Sequence, residues 1–138
     1  MSTCSIEELS HTAEIGVRVQ AGSAPDLFAC TAQAMFGLLR VRPDESGEAG
    51  RRLVTIDSID AESLMVDWLN ELVYLHETSR LLFTQYTILR WEATHLEAEI
   101  YGYPSSGAPA LHIKAATYHQ LLIRDDANGW TAQVFFDI

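Results

Sequence analysis

Carboxylates near the two ends of the chain are the groups best suited to chemistry in this sequence. Glu14 opens a stretch of alternating apolar residues, and Asp137 is followed by Ile138, whose α-carboxylate is a further oxygen group. Such oxygens are preferred ligands of Mg²⁺, Ca²⁺ and Mn²⁺ and suit soft metals poorly. If the first and last predicted strands are neighbours, Glu14, Asp137 and Ile138 form one hard-metal site. Alternatively, both acids are solvated residues at strand ends, and their spacing does not decide between the two interpretations.

Three other residues are candidates to support such a site or to contact a partner. His11 precedes Glu14 by a few residues, and Lys114 and His119 belong to one predicted strand-turn-strand region. Lys114 is suited to contact an anion or an acidic partner group, and His119 is suited to orient a ligand or transfer a proton. The alternative is an exposed lysine and histidines with ordinary structural hydrogen bonds.

Hydrophobic periodicity predicts the elements that must position these groups. Residues 14–20 alternate between apolar and polar side chains, which is typical of a half-buried strand. The segment Ser23-Ala-Pro-Asp26 resembles a capping box and predicts a helix that ends near Arg40. Residues 41–50 have neither helical nor strand periodicity and contain proline and glycines, so we expect a mobile connector there.

The second half of the chain begins with a helical pattern and then changes to strands. Residues 53–56 predict a short strand, and Asp60 is placed to cap a second amphipathic helix. The pattern that follows predicts strands over 81–91 and 94–101, a loop over 101–110, strands over 111–116 and 118–124, a hairpin turn at 125–129 and a last strand over 130–138. This order predicts an α+β fold in which two amphipathic helices pack on a mostly antiparallel or mixed β-sheet.

Length, composition and charge limit the class of protein. A chain of 138 residues that is 48% hydrophobic predicts one domain over residues 1–138. The formal charge of −10 disfavours tight direct binding of nucleic acid and suits a cation or the basic surface of a protein partner. No stretch approaches the roughly 20 apolar residues of a membrane span, and the N-terminal segment lacks the features of a secretory signal. We therefore expect no membrane association and a cytoplasmic location.

Familiar catalytic and metal-binding motifs are missing from the sequence. It contains no glycine-rich phosphate loop, nucleophile elbow, paired-cysteine zinc signature or helical His-Glu-x-x-His. The two cysteines, Cys4 and Cys30, predict neither a disulfide framework nor a thiolate metal cluster. Cys30 falls within the first predicted helix and is interpreted as a core residue.

Five segments together resemble the archease family. They are His-Thr-Ala-Glu-Ile-Gly at 11–16, Val-Asp-Trp-Leu-Asn-Glu-Leu-Val-Tyr-Leu at 66–75, Leu-Leu-Phe at 81–83, Lys-Ala-Ala-Thr-Tyr-His at 114–119 and the terminal Phe-Asp-Ile. The segments occur in the family's order and span almost the whole chain. The resemblance implies an accessory protein of the RtcB-type RNA ligase, the GTP- and Mn²⁺-dependent enzyme that joins RNA ends in tRNA splicing and RNA repair. Archeases promote guanylylation of the ligase histidine and its multiple turnover without performing ligation.

The resemblance also implies a metal site. In the family, a metal is held by the acid of the first motif and the penultimate aspartate, with a contribution from the final residue. On this sequence these positions are Glu14, Asp137 and Ile138. The usual aspartate of the first motif is Glu14 here, whose extra methylene changes the reach of the carboxylate, and the acid that often precedes the histidine is Ser10. The loop before Lys114 is commonly charged in the family, but here it consists of small residues and prolines.

The sequence therefore predicts a non-catalytic activator of an RtcB-type RNA ligase that holds Ca²⁺, Mg²⁺ or Mn²⁺ at its acidic site. Two other functions remain open at this stage. One is a metal-dependent phosphohydrolase with Glu14 and Asp137 as ligands and His11 or His119 as the base. The other is a general folding helper or scaffold in which the carboxylates are only structural.

Overall fold

The computed structural model describes residues 4–11 and 14–138, without the side chain of His11. Within these residues two helices and two antiparallel sheets form the α+β architecture that the sequence predicts. The elements in chain order are β1 Cys4–His11, β2 Glu14–Ala21, α1 Ala24–Gly37, β3 Arg42–Pro43, β4 Gly50–Asp57, α2 Ala61–Ser79, β5 Leu81–Glu92, β6 His95–Ser106, β7 Ala115–Ala116, β8 Leu122–Asp126 and β9 Gly129–Asp137.

Both helices begin where the capping residues predict. The Ser23 hydroxyl accepts a hydrogen bond of 3.3 Å from the backbone N–H three residues further on, and Asp60 accepts one of 2.7 Å in the same way. The first helix ends at Gly37 and not near Arg40, because the next residues form a tighter turn and Arg40 adopts a left-handed conformation with φ 56°. The prediction was therefore right about the start of α1 and three residues too long at its end.

The first sheet has the strand order β1-β2-β9-β7, and β8 also pairs with β9. Its central pair joins the first predicted strand to the last, with Val17 opposite Val134 and Ile15 opposite Phe136. The predicted strand over 118–124 is observed only from Leu122, and β7 covers only the end of the predicted strand over 111–116.

The second sheet is built around β6, which pairs with β4 on one side and β5 on the other. The prediction of a loop over 101–110 was wrong for its first half, because β6 continues to Ser106. Glycine, proline and serine gave this segment the composition of a loop, but its residues pair with β5. The expected connector over 41–50 also differs: Arg42–Pro43 pairs with the end of β6, and β4 begins at Gly50.

The helices contact strands of both sheets, so one apolar core joins the whole structure. Trp68 of α2 lies at its centre, fully buried, and its indole N–H donates a hydrogen bond of 3.0 Å to the Phe28 carbonyl. Among the described residues, no helix has the length and apolar character needed to span a bilayer. Other fully buried large side chains are Phe83, Phe136, Leu27, Met35, Leu64, Met65, Leu69 and Leu72.

A disulfide joins Cys4 of β1 to Cys30 of α1, with Cα atoms 6.2 Å apart. The expectation that the two cysteines form no disulfide was therefore wrong, although Cys30 is a core residue as predicted, with 3% of its surface exposed. Most residues of β1 are exposed, so this edge strand shows no alternation of apolar and polar side chains. Without that pattern, the sequence did not reveal that Cys4 lies beside the first helix.

Candidate functional site

The pairing of β2 with β9 places Glu14 and Asp137 at the same end of the first sheet. The ladder between the two strands ends with Ile15 opposite Phe136, and Glu14 and Asp137 are the next residues of β2 and β9 beyond this pair. Residues opposite each other in an antiparallel pair point to the same face of the sheet. Glu14 and Asp137 are therefore neighbours on one face, and the first and last predicted strands adjoin as the metal hypothesis requires.

Lys114 reaches this end of the sheet from the other side of β9. Its backbone N–H donates a hydrogen bond of 2.8 Å to the Asp137 carbonyl, and Ala115 lies opposite Asp137 in the ladder. The Lys114 side chain is exposed, and its ammonium group has no hydrogen bond or ion pair within residues 4–11 and 14–138. The Lys114 backbone therefore lies next to Asp137, and its exposed side chain is available to a partner.

His119 connects the same region to Glu14. Its Nε2 atom lies 3.5 Å from Oε2 of Glu14, and its ring packs edge-on against Phe135 with 6.2 Å between the centroids. Thr117 fixes the turn before it, because its backbone N–H and its hydroxyl each donate a hydrogen bond of 3.0 Å to the Phe135 carbonyl. The structure thus brings together Glu14 and His119, two residues that the sequence proposed for one site.

Phe135 is a part of this region that the sequence analysis missed. Phe136 belongs to the main core, whereas Phe135 is buried on the opposite face, where it packs on Gly16 and under His119. A Cβ atom at position 16 would lie 2.7 Å from the Phe135 ring, so glycine is required for this contact. Two adjacent buried phenylalanines in one strand are the available signal, since they indicate burial on both faces.

Asn70 is the second residue that the sequence analysis missed. Its side chain accepts a hydrogen bond of 2.7 Å from the Ala116 N–H and donates one of 3.4 Å to the Ala116 carbonyl. The amide thereby ties β7 to α2 and holds the backbone next to Lys114 in place. A polar residue flanking the apolar stripe of α2 was its only sequence signal.

The predicted metal ligands agree with a hard cation in their chemistry. Glu14 and Asp137 supply side-chain carboxylates, and Ile138 follows Asp137 directly at the end of β9. No three His, Cys, Asp or Glu side chains in the described part of the chain are grouped to hold a metal ion. The predicted set contains only two such side chains, those of Glu14 and Asp137. His11 ends β1 opposite Glu14, but its side chain is outside the described part.

The histidines away from this end of the sheet have local partners. The Nδ1 atom of His76 lies 2.6 Å from the Leu81 carbonyl oxygen, and His112 lies 2.8 Å from a Glu77 carboxylate oxygen. His95 is held between two carboxylates, with Nδ1 and Nε2 each 2.6 Å from an oxygen of Asp57 and Glu97, respectively. These contacts give His76, His95 and His112 structural roles within the fold.

We predict that His95 makes the stability of the fold depend on pH. The pKa of His95 is raised above its ordinary value of 6.5, mainly by the hydrogen bond to Asp57 and to a smaller extent by the hydrogen bond to Glu97. Because the folded pKa is the higher one, this stabilisation is fully present below about pH 6.5 and is lost as the pH rises through the raised pKa. Denaturant unfolding across this window should show a falling free energy of unfolding for the wild type and a flatter profile for His95→Gln. An identical profile for both proteins would exclude this role.

Comparison with known proteins identifies relatives along nearly the whole chain. The sequence model of the Archease protein family (MTH1598/TM1083) matches residues 6–138. The archease of Methanosarcina acetivorans is 37% identical over 139 residues, covering 96% of this chain and 94% of the relative. The archease of Pyrococcus abyssi is 33% identical over 141 residues, covering 96% of this chain and 97% of the relative.

Two solved structures share the fold. Protein 1598 of Methanobacterium thermoautotrophicum superposes with a TM-score of 0.70 at 25% identity, covering 96% of this chain and 98% of that one. A Thermotoga maritima archease, described as a possible chaperone, superposes with a TM-score of 0.69 at 20% identity, covering 96% of each chain. The sequence match over residues 6–138 and these full-length relatives agree with the five segments singled out above, and the chain belongs to the archease family.

Proposed function

We propose that this chain is a non-catalytic activator of an RtcB-type RNA ligase, promoting guanylylation of the ligase histidine and multiple turnover in tRNA splicing or RNA repair. The observation that carries the proposal is the β2–β9 pairing, which makes Glu14 and Asp137 neighbours. His119 and Lys114 lie at the same end of the sheet. Membership of the archease family supports the choice of partner.

The surface around this site has the character of a protein contact. Tyr118 and Ile138 expose 58% and 47% of their surface beside the charged groups. Exposed apolar side chains next to a charged cluster favour docking to another protein. The net charge of −10 favours a partner with a basic surface, as an RNA-binding enzyme has. The ligase would supply the nucleophile and the RNA groove.

The site would hold a hard divalent cation, Ca²⁺, Mg²⁺ or Mn²⁺, at Glu14, Asp137 and Ile138. When bound, the cation supplies positive charge that helps to arrange nucleotide phosphates. The chain's own groups set the geometry around it. His119 contacts Glu14, the Lys114 backbone N–H donates a hydrogen bond to the Asp137 carbonyl, and the Lys114 ammonium is available to an anionic group of the partner.

We predict that Asp137→Ala strongly weakens activation of the ligase. The cognate ligase would be mixed with GTP, Mn²⁺ and this protein, and formation of ligase–GMP would be followed. Loss of one of few metal ligands should reduce metal affinity by more than about ten-fold, and stimulation should fall with it. Glu48→Ala is a matched control, since it removes an exposed acid from the connector between β3 and β4. Equal stimulation by wild type and a folded Asp137→Ala protein would refute the proposal.

Changes at Glu14 test the ligand chemistry separately. Glu14→Asp restores the acid that is usual in the family and should retain stimulation, whereas Glu14→Gln keeps the size but removes the charge. If Glu14→Gln stimulates as well as the wild type in a metal titration, this side chain is not a ligand.

A second candidate function is a general folding helper, favoured by the description of the Thermotoga maritima protein as a possible chaperone. In that case, suppression of aggregation of unrelated client proteins should survive both Glu14→Ala and Asp137→Ala. Phosphoester turnover by the purified chain without any ligase would instead identify a metal-dependent phosphohydrolase.

A further inference from the structure

A cavity of about 250 Å³ lies between the C-terminal ends of the two helices and residues 105–113. Its walls are mainly apolar and include Phe36 and Leu39 from the first helix region, Val73 from α2, and Ile113. All four of these side chains are buried, so the walls belong to the core. Apolar walls of this kind are typical of sites for small molecules.

The irregular segment that closes one side of the cavity is fixed in place. The Ala110 N–H donates a hydrogen bond of 2.8 Å to the Leu39 carbonyl, which ties the segment to the end of the first helix region. His112 pairs with Glu77 at 2.8 Å, which ties it to α2. The three walls of the cavity, which are the end of the first helix region, α2 and the segment over 105–113, are therefore attached to one another.

Arg80 stands at the mouth of this cavity. It ends α2 in a left-handed conformation with φ 62°, and its backbone N–H donates a hydrogen bond of 2.9 Å to the His76 carbonyl. Glycine is the favoured residue for this conformation, so helix termination does not explain an arginine here.

The Arg80 guanidinium also differs from most arginines of the chain. Within residues 4–11 and 14–138 it has no hydrogen bond or ion pair, in a protein with a net charge of −10. Glu77, the acid that lines the same cavity, is engaged by His112. The mouth therefore carries an available cation above an apolar interior. The arginines that pair with carboxylates are Arg18, Arg40, Arg51, Arg90 and Arg124.

We propose that this cavity binds a small amphipathic anion, with an apolar body of about one ring inside and a carboxylate or phosphate on Arg80. The volume is just below the usual range for ligand pockets, so it admits only a small apolar body. The planar guanidinium matches both carboxylate and phosphate in a bidentate contact. The site shares no residue with the acidic metal site and does not depend on the function proposed for it.

The test uses the whole chain and three probes with a similar apolar body: 3-phenylpropionate, benzylphosphonate and the neutral 3-phenylpropan-1-ol. Calorimetry should show that at least one anion binds about ten-fold or more tightly than the alcohol, since a charge-assisted contact is involved. The relative affinities of the two anions distinguish a carboxylate ligand from a phosphate ligand. Amide chemical shifts should change around Leu39, His76 and Ile113.

Substitutions at Arg80 test whether its guanidinium causes the preference for the anions over the neutral alcohol. Arg80→Gln should remove the discrimination between anion and alcohol, and Arg80→Lys should retain part of it. Arg52→Gln is the matched control and should leave binding unchanged, since Arg52 is an exposed arginine of β4 that pairs with no carboxylate in the part of the chain that the structure describes. The proposal is wrong if no probe binds at millimolar concentration, if the alcohol binds as well as both anions, if folded Arg80→Gln keeps the preference, or if the shifts lie elsewhere.

Discussion

Gly102→Ala should lower the free energy of unfolding by about 3 kcal/mol. A Cβ atom at this position in β6 would lie 2.3 Å from the Leu82 carbonyl oxygen and 2.8 Å from the Phe83 Cα atom. Both are backbone atoms of β5, so no change of rotamer relieves the overlap. The two strands would have to separate next to the irregularity between Phe83 and Gln85, and core residues on both strands would lose contacts.

Gly37→Ala is a control in which the same glycine-to-alanine change should leave the free energy of unfolding unchanged or raise it. No atom of the described residues lies within 4 Å of a Cβ at this position, which is the last residue of α1. Alanine favours a helix over glycine, so this variant should be unchanged or more stable by up to about 1 kcal/mol. Urea unfolding of both variants measures the difference. Equal stabilities of the two alanine variants would contradict the close packing of β5 against Gly102.

Cys4→Ser should destabilise the protein by about 3.5 kcal/mol under oxidising conditions. The disulfide closes a loop with a sequence separation of 26 residues, and its loss restores conformational entropy to the unfolded chain. For a chain of this length the expected fall in Tm is about 10 °C. Changing Cys4 and not Cys30 avoids placing a hydroxyl in the core, because Cys30 is buried.

Thermal unfolding with and without a reductant separates the disulfide from other effects of the substitution. Reduction should lower the Tm of the wild type close to that of Cys4→Ser and leave the variant almost unchanged. If the reductant has no effect on the wild type, or if it shifts both proteins equally, the disulfide does not stabilise the fold. Intact-mass measurement after thiol labelling confirms the redox state of each sample.

The disulfide is a covalent link between the edge strand β1 and α1, in addition to the ladder that pairs β1 with β2. The side chains of β1 form exposed ion pairs between Glu7 and Arg18 and between Glu8 and Arg40, and such pairs contribute little to stability. The same strand ends at His11, opposite Glu14. Attachment of its first residue to α1 therefore also supports the strand that borders the proposed metal site.

Local sequence determined both helices and the strands that alternate clearly between two environments. Ser23 and Asp60 satisfy the first N–H groups of their own helices, so these starts depend on residues only three positions apart. The strand that begins at Glu14 has one buried and one exposed face over most of its length, which leaves a period of two in the sequence. The same local information identified the final strand and the hairpin turn before it.

Other elements exist because of pairing partners that are distant in the sequence. The exposed edge strand β1 has no apolar alternation, and the last part of β6 has the composition of a loop. Their hydrogen bonds to neighbouring strands outweigh weak local preferences, as is common for strands. For the same reason, two cysteines that are isolated in the sequence meet in the disulfide.

The sequence by itself determined which groups the candidate site contains: the carboxylates of Glu14 and Asp137, the Lys114 ammonium and the His119 imidazole. Only the tertiary structure decided that they share one end of a sheet, because the β2–β9 register links residues more than a hundred positions apart. It also decided that Phe135 supports His119 and that Arg80, whose guanidinium has no partner among the described residues, lines an apolar cavity. Residue types are local information, whereas proximity results from the long-range strand pairing and core packing that only the folded chain makes.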